Sequence, residues 1–210
     1  MMMLSQAAQV LNGQLAGADV RFSAVSTDSR ALAQGDLFIA LRGEHFDGYE
    51  FVAKAAQAGA AASMVNAGSY KEHPSILDPH SSILVVEDTR LALGKLAAYW
   101  RSQFDIPLVA ITGSNGKTTV KEMLAGILSQ AAGSAEAVLA TRGNLNNDIG
   151  MPLTLLQLRE MHRYAVIEMG MNHLGEIDYL ARIAAPDVAV INNASGAHLE
   201  GLGSVHAVAQ

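Results

Sequence analysis

Residues 106–119 read IPLVAITGSNGKTT, a predicted apolar strand that leads into a glycine-rich loop and then into a predicted helix. Glycines let successive backbone N–H groups converge on phosphate oxygens, and the N-terminus of the helix adds positive charge behind them. Lys117 is then placed to reach the β- and γ-phosphates of a nucleotide, and the Thr118 hydroxyl to bind Mg²⁺. The usual Walker pattern needs glycine at position 111, where this chain has isoleucine, so we predict a shortened phosphate loop. The alternative is an ordinary glycine turn with a solvated lysine.

Strands and helices alternate regularly from Ile106 onward. Near-continuous apolar strands separated by amphipathic helices indicate βαβ units, and hence a parallel sheet covered by helices on both faces. Strands are predicted at 106–112, 136–141, 164–170 and 187–193, and helices at 120–130, at 151–160 with Pro152 in the first turn, and at 172–186 with Asn172 as the cap. The first of these helices places on one face the apolar residues Val120, Met123, Leu124, Ile127 and Leu128.

Three candidate groups follow strands of this predicted sheet, and such a sheet binds ligands beyond the carboxyl ends of its strands. They are the GSNGKTT loop, Glu168, and the segment NNASGAH at 192–198. Glu168 is a candidate Mg²⁺ ligand because that ion prefers hard oxygen ligands, and the alternative is a helix-capping or salt-bridged carboxylate. His198 could join it on a divalent ion, although a lone histidine is more often structural or exposed. The asparagine-rich stretch at 141–152 either holds a polar ligand or is a turn that ends in a helix cap.

The first hundred residues mix short strands with helices. Strands are predicted at 36–43, 61–65 and 82–88, and helices from Tyr49 to a stop at Gly59 and from Thr89 to about Gln103, with Asp88 or Thr89 as the cap. Pro107 cannot continue a helix, so residues 102–107 are predicted to form a boundary. We therefore predict an α/β fold in two parts, a small mixed α/β domain over 1–103 and part of a P-loop parallel-sheet domain over 104–210.

The composition excludes several classes of protein. Half of the residues are apolar and 16% are charged, which is typical of a globular chain. The net charge is −6 and the Lys and Arg residues are scattered, so we expect no binding to nucleic acid or to an anionic membrane. Without cysteine there is no disulfide framework and no thiolate metal site. No window approaches about 18 uninterrupted apolar residues, and we expect a soluble, cytoplasmic protein.

The loop GSNGKTT resembles the shortened phosphate loop G-[TS]-N-G-K-[TS]-[TS] of the Mur ligases, the ATP-dependent amide-forming enzymes of peptidoglycan precursor synthesis. The family pattern does not require glycine at position 111, which accounts for the isoleucine found there. The N-terminal motifs TDSR and GDLFIALRGEHFDGYEFVAKAAQAGA are similar to the uridine-nucleotide-binding domain of the same family. The two motif sets together are far more specific than the loop alone.

The resemblance also implies a substrate and a domain plan. Three further segments look most like the family member that adds D-alanyl-D-alanine to UDP-N-acetylmuramoyl-tripeptide. They are TRGNLNNDIGMPLTLL, IEMGMNHLGEI and NNASGAHLEGLGS. By this resemblance, 1–103 is the UDP-muramoyl-substrate-binding domain, 104–210 is an incomplete ATP-binding domain, and the C-terminal ligase domain is absent. Members also use a carbamylated lysine a few residues beyond HLEGLGS, and no lysine follows that segment before Gln210. We therefore expect the chain alone to be inactive and the full-length parent to be a monomer.

Individual roles follow from the same resemblance. It implies that catalysis depends on Lys117, Glu168 and His198, and that Mg²⁺ is bound by Thr118, Glu168 and His198. It implies that the ATP phosphates are held by Gly113, Ser114, Asn115, Gly116, Lys117, Thr118 and Thr119. It implies that the UDP-muramoyl substrate contacts Ser29, Arg30, Gly43, Asp47, Gly48, Asn144, Asn146 and Asn147.

The implied reaction has two steps. The terminal carboxylate of the substrate attacks the γ-phosphate of ATP to give an acyl phosphate, and the amine of D-alanyl-D-alanine then displaces phosphate through a tetrahedral intermediate. Three alternatives stay open: the sibling ligase that adds the third residue to the UDP-muramoyl-dipeptide, an enzyme like folylpolyglutamate synthase, and a binding module without catalysis.

Overall fold

The computed structural model describes residues 1–43, 46–73, 81–196 and 203–209, and its contacts divide the chain into two units, Met1–Leu96 and Ala97–Gln210. The boundary predicted between residues 103 and 104 stays a prediction. None of the described helices is both long enough and apolar enough to cross a lipid bilayer.

The first unit is built on a five-stranded sheet with strand order β2-β7-β6-β5-β4, in which only β2 is antiparallel to its neighbour. A second, two-stranded antiparallel sheet pairs β1 with β3. The strands are β1 (Met2–Met3), β2 (Gln14–Ala16), β3 (Arg21–Phe22), β4 (Val25–Ser26), β5 (Leu37–Ile39), β6 (Ala62–Asn66) and β7 (Ser82–Val86). The helices are α1 (Leu4–Leu11), α2 (Val52–Gln57), α3 (Ala67–Glu72) and the start of α4 (Thr89–Arg101), with a 3₁₀ turn at Gly48–Phe51.

One hydrophobic cluster of this unit lies between the sheet and α2. Strands β5, β6 and β7 are almost entirely buried, as expected for parallel strands covered on both faces. Phe38, Tyr49 and Val65 belong to one buried cluster with Val52 of α2. The short strand β5 lies within the longer strand predicted at 36–43, and the helix predicted from Tyr49 begins as a 3₁₀ turn.

The second unit is a four-stranded parallel sheet with strand order β11-β8-β10-β9. Its strands are β8 (Leu108–Thr112), β9 (Val138–Ala140), β10 (Tyr164–Glu168) and β11 (Val188–Ile191). Its helices are α5 (Lys117–Ala132), α6 (Gly150–Leu155), α7 (Glu176–Ala184) and α8 (Val205–Ala209), with a 3₁₀ turn at Ala135–Ala137. The predicted α/β class is confirmed, with a small mixed unit followed by a parallel sheet behind the glycine loop.

Arg101, at the end of α4, holds the segment that leads into β8 through hydrogen bonds. Its guanidinium donates to the carbonyl oxygens of Phe104 (2.6 Å), Ile106 (3.2 Å) and Ala184 (3.2 Å). Asp187 closes the same corner, because its Oδ2 accepts from the backbone N–H of Leu108 at 2.7 Å. The strand that carries the glycine loop is thereby fixed at its N-terminal end.

Two predicted helices are shorter in the structure. The apolar spacing over 151–160 continues past the end of α6, where Leu158 is still buried. The chain nevertheless turns after Leu155, where the N–H groups of Gln157 and Leu158 donate to the carbonyls three residues earlier, at 3.0 Å each. The Leu158 carbonyl then accepts from Trp100 Nε1 (3.1 Å) and Arg159 Nη1 (2.7 Å).

The cap predicted at Asn172 is wrong, since α7 begins at Glu176. The Glu176 carboxylate accepts from the backbone N–H groups of Asn172 (2.6 Å) and His173 (3.1 Å), which holds residues 172–175 in a turn. The apolar face predicted for α5 is also only partly buried, because Met123 and Ile127 are 64% and 63% exposed.

Candidate functional site

The glycine loop between β8 and α5 has a backbone that only glycine fits well. Gly113 and Gly116 have φ angles of 134° and 77°, in the left-handed region that side chains disfavour. A Cβ atom on Gly113 would lie 2.9 Å from the carbonyl oxygen of Asn193, and one on Gly116 would lie 2.7 Å from Asn192 Nδ2. Both glycines of the motif are therefore required by the fold of the loop.

The loop leads into the N-terminus of α5, which is a candidate anion site. Gly116 caps this helix without a side-chain hydrogen bond, so the first backbone N–H groups of the helix, up to Thr119, are open to a ligand. The Lys117 ammonium folds back over the loop and donates to the Gly113 carbonyl at 2.7 Å. Peptide dipoles, N–H donors and a cation thus face one place, as phosphate binding requires.

The loop is tied to the segment that follows β11. Ser114 Oγ donates to the Ser195 carbonyl (3.0 Å) and accepts from the Ser195 N–H (2.8 Å). The backbone N–H groups of Ser114 and Asn115 donate to Asn193, at 3.0 Å to its carbonyl and 3.1 Å to its side chain. Asn193 and Ser195 belong to the candidate segment at 192–198, which was predicted from its position after the fourth strand, but no individual role was predicted for either residue.

Glu168 lies at the carboxyl end of β10 and is almost fully buried, at 3% exposure. Thr118 Oγ1 donates to its Oε2 at 2.9 Å, and Asn146 Nδ2 donates to its Oε1 at 2.8 Å. Residues from α5, from β10 and from the asparagine-rich loop therefore meet at one carboxylate, as parallel topology predicts for strand ends.

Thr118 and Glu168 fit a divalent cation with oxygen ligands. Neighbouring ligand oxygens in an octahedral Mg²⁺ shell with bonds of about 2.1 Å lie about 3 Å apart, and Thr118 Oγ1 and Glu168 Oε2 are 2.9 Å apart. The described part of the chain contains no cluster of three or more His, Cys, Asp or Glu side chains. The predicted ligand His198 lies outside the described residues.

The three asparagines predicted to bind substrate differ in their surroundings. Asn146 alone reaches Glu168, and its carbonyl accepts from Gly170 N–H at 2.8 Å. Asn147 instead accepts from the backbone N–H of Gly150 at 2.8 Å and supports the start of α6. The Asn144 carbonyl accepts from the Asn146 N–H at 2.8 Å within the turn.

A small cavity of about 120 Å³ opens beside the glycine loop. It is mostly apolar and lies next to Lys117, so it suits the flat, weakly polar part of a nucleotide whose phosphates lie on the loop. The side chains that enclose it with the loop include Met171, Ile177, Ile191 and Ala194.

The first unit has a separate cavity of about 370 Å³, lined in part by Ser29 and Arg30. Arg30 donates to the Asp28 carboxylate through Nε (2.9 Å) and Nη2 (2.8 Å), and this pair lowers the pKa of Asp28 to about 2. The rings of Phe46 and Phe51, also in the lining, stack with centroids 5.7 Å apart. Aromatic faces beside a cationic guanidinium form a surface that suits a base and an anionic group.

Gly43, Asp47 and Gly48, which were predicted to lie near Ser29 and Arg30, form the turn before α2. Asp47 accepts from the Tyr49 N–H (2.9 Å) and from Ser69 Oγ (2.6 Å), while Gly43 N–H donates to the Phe46 carbonyl (2.8 Å). Their contacts are structural, and they hold Phe46 and the 3₁₀ turn beside the cavity.

Comparison with known proteins identifies both parts of the chain. The family model of the Mur ligase middle domain matches residues 111–210, and that of the Mur ligase family catalytic domain matches residues 21–101. The UDP-N-acetylmuramoyl-tripeptide--D-alanyl-D-alanine ligase of Escherichia coli K12 is 50% identical over 207 residues, which cover 99% of this chain and 43% of that relative.

Solved structures of Mur ligases also resemble this chain. A crystal structure of MurF from Acinetobacter baumannii superposes with a TM-score of 0.84 at 44% identity and covers 98% of this chain and 44% of that one. A MurF ligase from Thermotoga maritima in complex with ADP gives a TM-score of 0.75 at 34% identity, covering 89% of this chain and 41% of that one. The chain thus spans less than half the length of these relatives, and the resemblance drawn from its motifs is confirmed. The chain belongs to the Mur ligase family.

Proposed function

We propose that this chain is the N-terminal part of an ATP-dependent ligase that joins D-alanyl-D-alanine to UDP-N-acetylmuramoyl-tripeptide in peptidoglycan precursor synthesis. The observation that carries the proposal is the meeting of Lys117, Thr118 and Glu168 at the ends of β8 and β10. The name of the Escherichia coli relative supports the substrates, and the ADP complex of the Thermotoga maritima relative supports the nucleotide.

The residues of the second unit suit carboxylate activation. Lys117 and the open N–H groups of α5 would bind the ATP phosphates and offset the charge that develops as the γ-phosphoryl group moves to the substrate carboxylate. Thr118 and Glu168 would hold Mg²⁺, which supplies further charge neutralisation when bound. Because the carboxylate of the substrate is itself the nucleophile, the proposed work of the protein is positioning and charge stabilisation.

The first unit is proposed to bind the uridine nucleotide of the substrate. Its cavity combines the Arg30 guanidinium with the stacked rings of Phe46 and Phe51, which suit a pyrophosphate and a base. Asn146 is proposed to lie near the muramoyl end, since its amide already reaches the carboxylate of Glu168. Domains beyond this chain are proposed to bind D-alanyl-D-alanine, in a monomeric, cytoplasmic enzyme.

The test compares Lys117→Ala with the wild type in the ligase that carries this chain. We expect a loss of about a hundredfold or more in ATP-dependent ligation, because preorganised charge stabilisation typically contributes that much. Lys95→Ala, at an exposed position of α4, is the matched control and should ligate normally. Near-normal turnover by Lys117→Ala would contradict the proposed role of the loop.

Substrate identity is tested separately by calorimetric titration with UDP-muramoyl-tripeptide and with the dipeptide precursor. Tighter binding of the tripeptide supports the proposal, and tighter binding of the dipeptide would favour the sibling ligase. The 210-residue chain alone should form no amide product, since it spans only 43% of the Escherichia coli ligase.

A further inference from the structure

Lys121 is a buried cation that the proposed mechanism does not use. It lies on α5 one turn after Lys117, and it is only 1% exposed. A lysine side chain is rarely buried to this extent, because removing an ammonium from water is costly unless hydrogen bonds and opposite charge compensate it. A methionine of similar length would fill the same space without that cost, so the charge calls for an explanation.

The ammonium of Lys121 reaches the end of strand β9. Its Nζ donates to the carbonyl oxygen of Thr141 at 2.7 Å, across the space between α5 and the sheet. It also pairs with Glu122 Oε1 at 2.7 Å, and the Glu122 side chain is 68% exposed, so solvent screens that end of the pair. The contact with Thr141 is the one that joins two separate elements.

Thr141 in turn fixes the backbone of Glu168. Thr141 is 1% exposed, and its Oγ1 accepts from the backbone N–H of Glu168 at 2.9 Å. Its own N–H donates to the Val166 carbonyl at 3.1 Å, which extends the pairing of β9 with β10 by one residue. One side chain and two backbone groups of Thr141 therefore connect Lys121 to the strand end that carries the Glu168 carboxylate.

The same connection sets the distance between the two donors on Glu168. Thr118 reaches Oε2 from the first turn of α5, and Asn146 reaches Oε1 from the loop that begins at Thr141. Lys121 links that helix to the start of that loop, so it holds the two sides of the carboxylate at a fixed separation. Loss of the link would let the loop move away from α5 and release Glu168 from its present orientation.

We propose that Lys121 is a positioning residue that holds Glu168 and Thr118 in the arrangement needed for Mg²⁺-dependent ATP binding. This inference rests on the proposed function, because it concerns the same site. It predicts a specific defect: the metal-dependent part of nucleotide binding depends on Lys121, whereas the metal-independent contacts of the phosphates with the loop do not.

The experiment measures ATP binding to the ligase that carries this chain by calorimetry, once with Mg²⁺ and once with EDTA. Lys121→Met should weaken binding of Mg·ATP about tenfold, as expected for the loss of a buried hydrogen bond to a charged group, and leave binding in EDTA nearly unchanged. Thr141→Val keeps the carbonyl that Lys121 contacts but removes the acceptor for Glu168 N–H, and it should show the same selective loss. Glu122→Gln is the matched control on the exposed partner and should bind as the wild type does.

The possible outcomes distinguish failure of the positioning role of Lys121 from failure of the proposed function. Equal weakening with and without Mg²⁺, or unchanged Mg·ATP binding in Lys121→Met, would overturn the positioning role while the wild type still binds ATP. If Lys121→Met does not fold, as circular dichroism would report, Thr141→Val decides, and Lys121→Arg should restore folding and Mg·ATP binding because it keeps a cationic donor. A wild-type ligase that binds no ATP in either buffer would overturn the proposed function itself.

Discussion

The Glu168 carboxylate has an unusual set of neighbours for a buried acid. Within the described residues, the side chains that donate to it are those of Thr118 and Asn146, and both are neutral. Neutral donors offset only part of the cost of burying a negative charge, and a bound cation offsets much more of it. A divalent cation held by Glu168, as proposed above, would therefore stabilise this site.

A pH prediction concerns the ion pair in the cavity of the first unit. Arg30 lowers the pKa of Asp28 from 3.8 to about 2 through their side-chain hydrogen bonds. In Arg30→Met the pKa of Asp28 should therefore rise toward its ordinary value, as measured by carboxyl carbon shifts in an NMR titration. Because the folded pKa is depressed, the pair stabilises the fold above the ordinary pKa of aspartate, and this contribution is lost as the pH falls toward 2.

Asp178 provides an internal control in the same spectra. It accepts from Arg182 at 2.8 Å, and this contact lowers its pKa in the same way. Its titration should be identical in the wild type and in Arg30→Met. A pKa of Asp28 that stays near 2 in the variant would show that Arg30 is not the cause of the shift.

The sequence predicted the main side chains of the candidate nucleotide site but not their supports. Lys117 and Thr118 followed from the spacing of the loop, and Glu168 followed from its place at a strand end, because parallel strands bring their carboxyl ends together. Lys121 and Thr141 were not predicted. Their roles depend on how far α5 lies from the end of β9, and that distance is set by packing across the sheet.

At the scale of elements, α4 gives a direct test of helix capping. Asp88 Oδ1 accepts from the backbone N–H groups of Arg90 (2.8 Å) and Leu91 (2.9 Å), as the sequence predicted for this end of the helix. Asp88→Ala should lower the free energy of unfolding by about 1 kcal/mol, the usual cost of losing such a cap. Urea denaturation followed by circular dichroism measures the change.

Asp88→Asn is the matched control for that measurement. Asparagine caps helices about as well as aspartate, so this variant should keep most of the stability that alanine loses. Equal losses in both variants would mean that the charge of Asp88, and not its hydrogen bonds, stabilises α4.

The shortened helices show where apolar spacing misleads. The spacing over 151–160 continues through Leu156 and Leu158, which are buried at 3% and 0% exposure, although α6 has already ended. Burial depends on the position of a side chain, while helix length depends on which groups satisfy the backbone carbonyls. Trp100 and Arg159 take that role for the carbonyl of Leu158, beyond the end of α6, and neither contact is visible in the local pattern of residues.

At the scale of the whole molecule, the edge strand β11 differs from the other strands of its sheet. It pairs with β8 on one side, and three of its four residues are exposed, whereas β10 is almost entirely buried. Val188 and Ile191 expose 54% and 73% of their surface. An apolar edge of this kind favours pairing with another chain.

Val188→Lys should therefore keep the 210-residue chain monomeric at higher concentration, because a lysine on an exposed edge strand opposes strand pairing between molecules. Sedimentation velocity over a concentration series measures the effect. Leu91→Lys is the matched control, since Leu91 is 52% exposed and Val188 is 54% exposed, but Leu91 lies on a helix, where no strand can pair. If both variants raise the monomer fraction equally, general charge and not the edge of β11 governs association. If neither does, the exposed edge does not drive association of this chain.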